Sequence, residues 1–349
     1  MTDRLGAIVL TVPSPPDKPD KPTSPTSPTA PARWTVKDVL LWTTARFEER
    51  GLETPRLDAE ILTAHALGVP RVQLYVQFDR PLSPDELAAI RELVKRRQAG
   101  ASVAYVVGKK GFFALDFLVD ARVLVPRPDT ETLVHEALDR IGRAPRLRVA
   151  RDVEPTPAAE ATDRAAVTDD ADAAPAPWPA KLSPRIADVG TGSGAIAVTL
   201  AKERPDALVF ATDLSPDALA VARANAERHG ATVTFLEGDL AAPLAPLAPF
   251  DLIVANLPYI ATGDLASLPP EVRAEPALAL DGGADGLALV RRLIAAAPAL
   301  LATGGALALE IGAGQAAETA RLCVAAGLVD VRAGRDLGQI ERVVSAVKP

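Results

Sequence analysis

The chain has 349 residues, a net charge of −7 and 48% hydrophobic residues of which few are aromatic, enough for two domains and a sizeable core. The acidic balance gives no overall basic footprint for non-specific nucleic-acid binding, and the single Cys323, in an Ala-rich helical pattern, excludes an intramolecular disulfide and reads as a small core residue. The longest apolar candidate for a membrane span, after Gly286, is broken by Arg291 and Arg292, and Leu5–Val12 is too short and too polar in its flanks for a signal peptide, so a cytoplasmic chain without membrane attachment is expected.

Residues 1–33 interleave prolines with Ser, Thr, Lys and Asp and bury little; they read as a disordered, Pro-rich tail. Residues 34–100 turn to helical spacing. Val36, Val39, Leu40 and Phe47 share one face behind a Thr35/Asp38 cap, a second helix spans Pro55–Leu67, and Ser83-Pro84-Asp85-Glu86 opens a third that runs to Gln98. His65, with no second ligand at metal spacing, reads as structural, and no metal site is expected. Lys95, Arg96 and Arg97 close the third helix, where cations complement its dipole or form part of a partner-binding face.

Residues 101–128 read as a β-hairpin linker, with strands Val103–Val107 and Gly111–Val119 about a turn at Gly108-Lys109-Lys110-Gly111. In Pro126-Arg127-Pro128-Asp129-Thr130-Glu131 two prolines hold Arg127 rigidly, as suits a ligand-facing linker, and Asp129 or Thr130 caps a helix to about Ile141. Within the final domain, 129–349, residues 144–184 are Ala, Pro and acid rich with no apolar period and read as a flexible, disordered insertion in which only Trp178 would dock. From Arg185 strands and helices alternate, the pattern of a doubly wound, Rossmann-like α/β sheet.

The chemistry concentrates at strand ends. Ile186–Val189 runs into Gly190-Thr191-Gly192-Ser193-Gly194, a backbone able to turn tightly and approach a ligand, with Asp188 just before it. Asp213 ends the next strand, where a carboxylate can accept both hydroxyls of a ribose; Asp239 and Leu240 follow the third strand, where an adenine amino group could be read. The glycine loop alone fits a dinucleotide fingerprint equally well. The fourth strand, Leu252–Ala255, is continuously apolar and ends in Asn256-Leu257-Pro258-Tyr259. Taken alone this is either a strand end followed by a proline turn or a site for a planar amino group. In the second case the Asn256 oxygen and the Leu257 carbonyl accept its two N–H groups, Pro258 fixes the backbone and Tyr259 stacks on its face.

Taken together, Asp188-Val-Gly-Thr-Gly-Ser-Gly194, Asp213 and Asn256-Leu-Pro-Tyr259 resemble the class I S-adenosylmethionine-dependent methyltransferases that modify amide or exocyclic amino nitrogens. Pro126–Glu131, Gly111-Phe-Phe113, Glu275-Pro276, Asp281-Gly-Gly-Ala-Asp-Gly286, Glu310-Ile-Gly312 and the helical N-terminal part resemble the release factor glutamine N5-methyltransferases of the HemK/PrmC type. That resemblance implies a Rossmann-like methyltransferase sheet behind a small all-α domain, S-adenosyl-L-methionine as cofactor, and class-1 peptide chain release factors as partners, methylated on the glutamine of their Gly-Gly-Gln motif. It further implies cofactor contacts from Asp188, the 190–194 loop, Asp213, Asp239, Leu240 and Asn256, and substrate contacts from Asn256, Leu257, Pro258, Tyr259 and Arg127. Leu257 stands where the family usually has a first proline; the group required is a backbone carbonyl, and a residue before proline is already extended. Two other readings fit parts of the pattern: an adenine-N6 methyltransferase on DNA or RNA, and a catalytically idle cofactor fold that binds a partner.

Overall fold

The computed structural model describes residues 33–142 and 183–349; the Pro-rich tail and nearly all of the insertion, Trp178 included, lie outside the described residues. The helical part starts with α1 (Val36–Glu48), opened by a reciprocal cap in which the Thr35 hydroxyl accepts the Asp38 N–H at 3.2 Å and Asp38 accepts the Thr35 N–H at 3.0 Å. α2 (Pro55–Leu67) ends at Gly68 in the left-handed region, α3 (Arg71–Val76) is too short for a readable period and was not expected, and α4 (Pro84–Gln98) carries the Ser83/Glu86 capping box. Val36, Leu40, Phe47, Leu62, Leu74 and Ile90 form their common core.

The structure corrects the next segment. Val103–Val107 is a short helix, α5, and not a strand. The Ser102 hydroxyl accepts the Tyr105 N–H at 3.2 Å, Gly108 ends the turn at φ 76°, and Val103, Val106 and Val107 pack into the helical core. A five-residue apolar run has no period to separate helix from strand, so the cap and the tertiary contacts decide. The hairpin is therefore shorter and later: β1 (Lys109–Phe112) pairs antiparallel with β2 (Leu115–Leu118). Its turn is Phe113-Ala114, both at positive φ, the sign a two-residue hairpin loop requires. Buried Asn225 fastens the hairpin to the sheet domain, accepting Leu118 N–H at 2.7 Å and donating to the carbonyls of Leu118 and Ser193. Such bonds contribute about 1 kcal/mol each, and more is lost if their partners stay buried alone.

The remaining elements are α6 (Thr130–Ile141), β3 (Arg185–Val189), α7 (Ala195–Glu203), β4 (Leu208–Asp213), α8 (Pro216–His229), β5 (Val233–Glu237), β6 (Phe250–Ala255), α9 (Pro270–Arg273), α10 (Ala288–Leu300), β7 (Leu301–Glu310), α11 (Ala316–Ala325), β8 (Val329–Arg335) and β9 (Glu341–Val347). The seven strands take the order β5-β4-β3-β6-β7-β9-β8, parallel from β5 to β7, with β9 and β8 added antiparallel. Each central strand is buried on both faces. Ile186, Leu252 and Val254 pack under α6, α7 and α8, while Val189, Ile253 and Leu309 pack under α10 and α11.

Candidate active site

From β3 the chain winds outward to β5, then returns to lay β6 on the other side of β3, so the direction of winding reverses between β3 and β6. Open α/β sheets form a crevice at the carboxyl ends of the strands at such a point. Here Val189 pairs with Ala255, which sets the glycine loop beside Asn256. A cleft of about 260 Å³ opens there, with the Val123–Arg127 linker on one rim and Pro276–Ala279 on another.

Gly190, Thr191, Gly192 and Ser193 line the cleft. Asp213 also lines it and braces the loop: one oxygen accepts the Gly192 N–H at 2.8 Å, the other the Ser215 N–H at 2.9 Å. Asp239 and Leu240 reach the cleft, but the Asp239 carboxylate is bound to Arg292, a contact between β5's loop and α10 that local sequence could not disclose. Two expected cofactor residues sit behind the surface. Asp188 is fully buried; Oδ2 accepts from the Thr191 hydroxyl at 2.7 Å and the Ala197 N–H at 3.1 Å, while Oδ1 has no partner among the described residues. Burial pushes its pKa up to about 7 against those two hydrogen bonds. Gly194 serves helix packing and not ligand approach, since a Cβ there would stand 3.1 Å from the Ala222 Cβ, and a Cβ on Gly190 would meet the Leu257 side chain at 3.0 Å.

On the other side of β6, Asn256 Nδ2 donates to the Thr130 hydroxyl at 3.2 Å. Leu257 is buried and Pro258 lines the cleft. Tyr259 does not line it. Its ring lies toward β7, with Cδ2 3.2 Å from where a Gly312 Cβ would be, and its carbonyl accepts from Gln315 Nε2 at 3.0 Å. Burial pushes the Tyr259 phenol up to about 12, so it stays protonated near neutral pH. The Asp281–Gly286 segment closes over this stretch: Gly282 N–H donates to the Ile260 carbonyl at 2.8 Å, and a Cβ on Gly286 would come within 2.2 Å of the Tyr259 carbonyl oxygen.

Arg127 lines the cleft as expected and also holds its wall. It pairs with buried Glu275 at 2.5 Å, which accepts the Val125 N–H at 3.1 Å. Buried Arg97 of α4 reaches Asp58 at 2.8 Å and Glu271 of α9 at 2.6 Å, so the same wall is tied to the helical part. Sequence reasoning assigned no site role to Thr130, Glu275, Glu310 or Gln315. Thr130 was read only as a helix cap, yet Asp129 takes the cap position without a side-chain bond and Thr130 faces Asn256.

Residues 38–108 match the family described as PrmC N-terminal domain, and residues 186–274 match one described as methyltransferase domain. The chain is 44% identical to the release factor glutamine methyltransferase of Geobacter sulfurreducens over 89% of its length and 96% of that protein's. Identity to proteins of the same name is 39% in Chlorobaculum tepidum, covering 90% of this chain and 97% of that one, and 42% in Burkholderia pseudomallei, covering 82% and 90%. The chain belongs to the release factor glutamine methyltransferase family. The first match ends at residue 108, just past α5, consistent with α5 packing in the methyltransferase's helical core and not in its hairpin.

Proposed function

We propose that this methyltransferase transfers the methyl group of S-adenosyl-L-methionine to the side-chain amide nitrogen (N5) of the glutamine in the Gly-Gly-Gln motif of class-1 peptide chain release factors, in the cytoplasm. The observation that carries the reading is Asn256: an amide held by Thr130 at the end of a strand buried from Leu252 to Ala255, with the glycine loop on its β3 side and Tyr259 on its β7 side.

The residues of the β3 side fit the cofactor. Asp213 offers carboxylate lone pairs to a ribose diol, Ile196, Leu240 and Leu289 give apolar walls to an adenine plane, and the unpartnered Asp188 oxygen suits an ammonium group. The cofactor supplies an electrophilic sulfonium methyl. The protein's task is at the nucleophile, because an amide nitrogen has a delocalised lone pair and gains positive charge as it is alkylated. The Asn256 oxygen and the Leu257 carbonyl accept its two N–H groups, and those bonds strengthen as the charge develops. Pro258 confines the residue before it to extended backbone and so fixes that carbonyl's direction, while the Asp281–Gly286 segment packs on the carbonyls of Pro258, Tyr259 and Ile260 that follow. Fixing the reacting groups can lower the barrier by roughly 7–11 kcal/mol in favourable cases. The Tyr259 phenol, protonated near neutral pH, stands behind Asn256 on the β7 side and is not a base, so the proton shed by the methylated nitrogen passes to water. Arg127 holds the rim over which the substrate loop would enter.

The test is transfer of labelled methyl from S-adenosylmethionine to a purified release factor, beside a release factor whose Gly-Gly-Gln glutamine is alanine and beside duplex DNA. Label on the first alone is expected. Label on DNA would overturn the reading in favour of an adenine-N6 activity, and no label despite cofactor binding would leave an idle fold.

A further inference from the structure

To receive a substrate amide, Asn256 must present its oxygen and not its NH₂ group. The two ends of an Asn amide are nearly identical in shape, so its hydrogen-bond partners decide which end faces where. Thr130 cannot decide alone, because a hydroxyl both donates and accepts. Behind it stands Glu310. β6 and β7 pair with Ala255 opposite Leu309, so the next residues, Asn256 just past β6 and Glu310 at the last position of β7, stand side by side. Glu310 is 2% exposed, the Thr130 and Asn256 side chains stand near enough to its carboxyl to favour the charged form, and its Oε2 has no hydrogen-bond partner among the described residues.

An ionised carboxylate can only accept. We propose that Glu310 is a positioning residue: by accepting from Thr130 and from the Asn256 side, it commits Thr130 Oγ1 to accept from Asn256 Nδ2 and so turns Asn256 Oδ1 toward the substrate amide. This deepens the glutamine-methylation reading and rests on it. A protonated Glu310 could donate instead, and the row of hydrogen bonds would lose its sense. The groups facing it are Asp129 at the start of α6, Arg342 of β9 and the Tyr259 phenol, besides Thr130 and Asn256. Burial, aided by Asp129 and opposed by Thr130 and Arg342, raises Glu310 to about 7, so the accepting form grows in as pH rises through neutrality.

The experiment compares wild type, Glu310→Gln, Thr130→Val, Thr130→Ser and the Glu310→Gln/Thr130→Val double variant in methyl transfer to the release factor, with the cofactor Kd measured for each. Glu310→Gln and Thr130→Val should each lower kcat on the order of 100-fold, the size expected for a misplaced reacting group, with cofactor Kd unchanged. Thr130→Ser should recover most of the rate, and the double variant should be no worse than its poorer parent, since both act through one amide. With cofactor saturating, wild-type kcat/KM for the release factor should rise with pH through about 7, a limb that Glu310→Gln flattens. Unchanged kcat in both single variants, a loss confined to cofactor Kd, or Thr130→Ser as poor as Thr130→Val would overturn the positioning role while the glutamine reading stands. A wild type that methylates no release factor would overturn that reading, and this inference with it.

Discussion

Asp188 at the end of β3 and Glu310 at the end of β7 flank β6 from opposite sides, both buried, both raised to about 7, each with one oxygen unpartnered among the described residues. Their neighbours differ. Asp188 is bonded to Thr191 and to the first turn of α7, which braces the glycine loop; Glu310 faces the side chains of Thr130 and Asn256, where we propose that it sets the presentation of an amide. On the proposed reading the same physics, a carboxylate desolvated at a strand end, serves cofactor capture on one flank and nucleophile orientation on the other. A site of this kind separates into a binding half and a turnover half along the axis of one strand.

The sharpest way to break that division is Asn256→Ala. We expect turnover with saturating substrate to fall by about 10²–10³, the cost of losing one preorganised group at a developing charge, with the cofactor Kd little changed in calorimetry. Equal losses in both would erase the distinction. Asp188→Asn should give the mirror image. It keeps an acceptor for Thr191 and Ala197 but loses the charge, so cofactor affinity should weaken roughly 10–100-fold, the worth of a charged hydrogen bond of about 1.5–3 kcal/mol, with kcat at saturation retained.

The two flanks should also act alike in the stability of the free protein. Each carboxyl has a folded pKa near 7 against ordinary values of 3.8 and 4.5, so the folded state holds protons that the unfolded state has released. Stability is therefore expected to fall as pH rises from those ordinary values through about 7, read as a decline in Tm that Asp188→Asn and Glu310→Gln each flatten. Below that window the sign reverses, because Asp206 and Asp285 are lowered to about 2 by Arg204 and Arg291 and their contribution is lost as they protonate. Saturating cofactor should shrink the Asp188 part alone. The smallest effect should come from Leu257→Pro. The carbonyl that serves the substrate remains, so kcat should hold, while loss of a buried side chain packed on Gly190 lowers stability by about 1 kcal/mol in denaturant titrations.

Features decided within a few residues were open to reading. The capping boxes at Thr35 and Ser83 were visible as side chains, and the glycine loop and the buried run into Asn256 announced a strand-end site because composition and spacing alone impose those geometries. What failed depended on partners distant in the chain. Val103–Val107 has strand-forming residues but joins a helical core, and the pairing of the cleft-lining Asp239 with Arg292 of α10 could not be foreseen locally. Thr130 reads locally as a helix cap and Glu310 as part of a short Glu-Ile-Gly motif, and with Gln315 they became neighbours of Asn256 and Tyr259 only when β7 and α6 were laid beside β6. The sequence by itself determined the long capped helices, the alternation of strands and helices after Arg185 and the residues able to bear the chemistry. Tertiary structure decided which of them face one another, because a hydrogen bond's sense and a carboxyl's protonation are set by neighbours that only packing brings within a few ångströms.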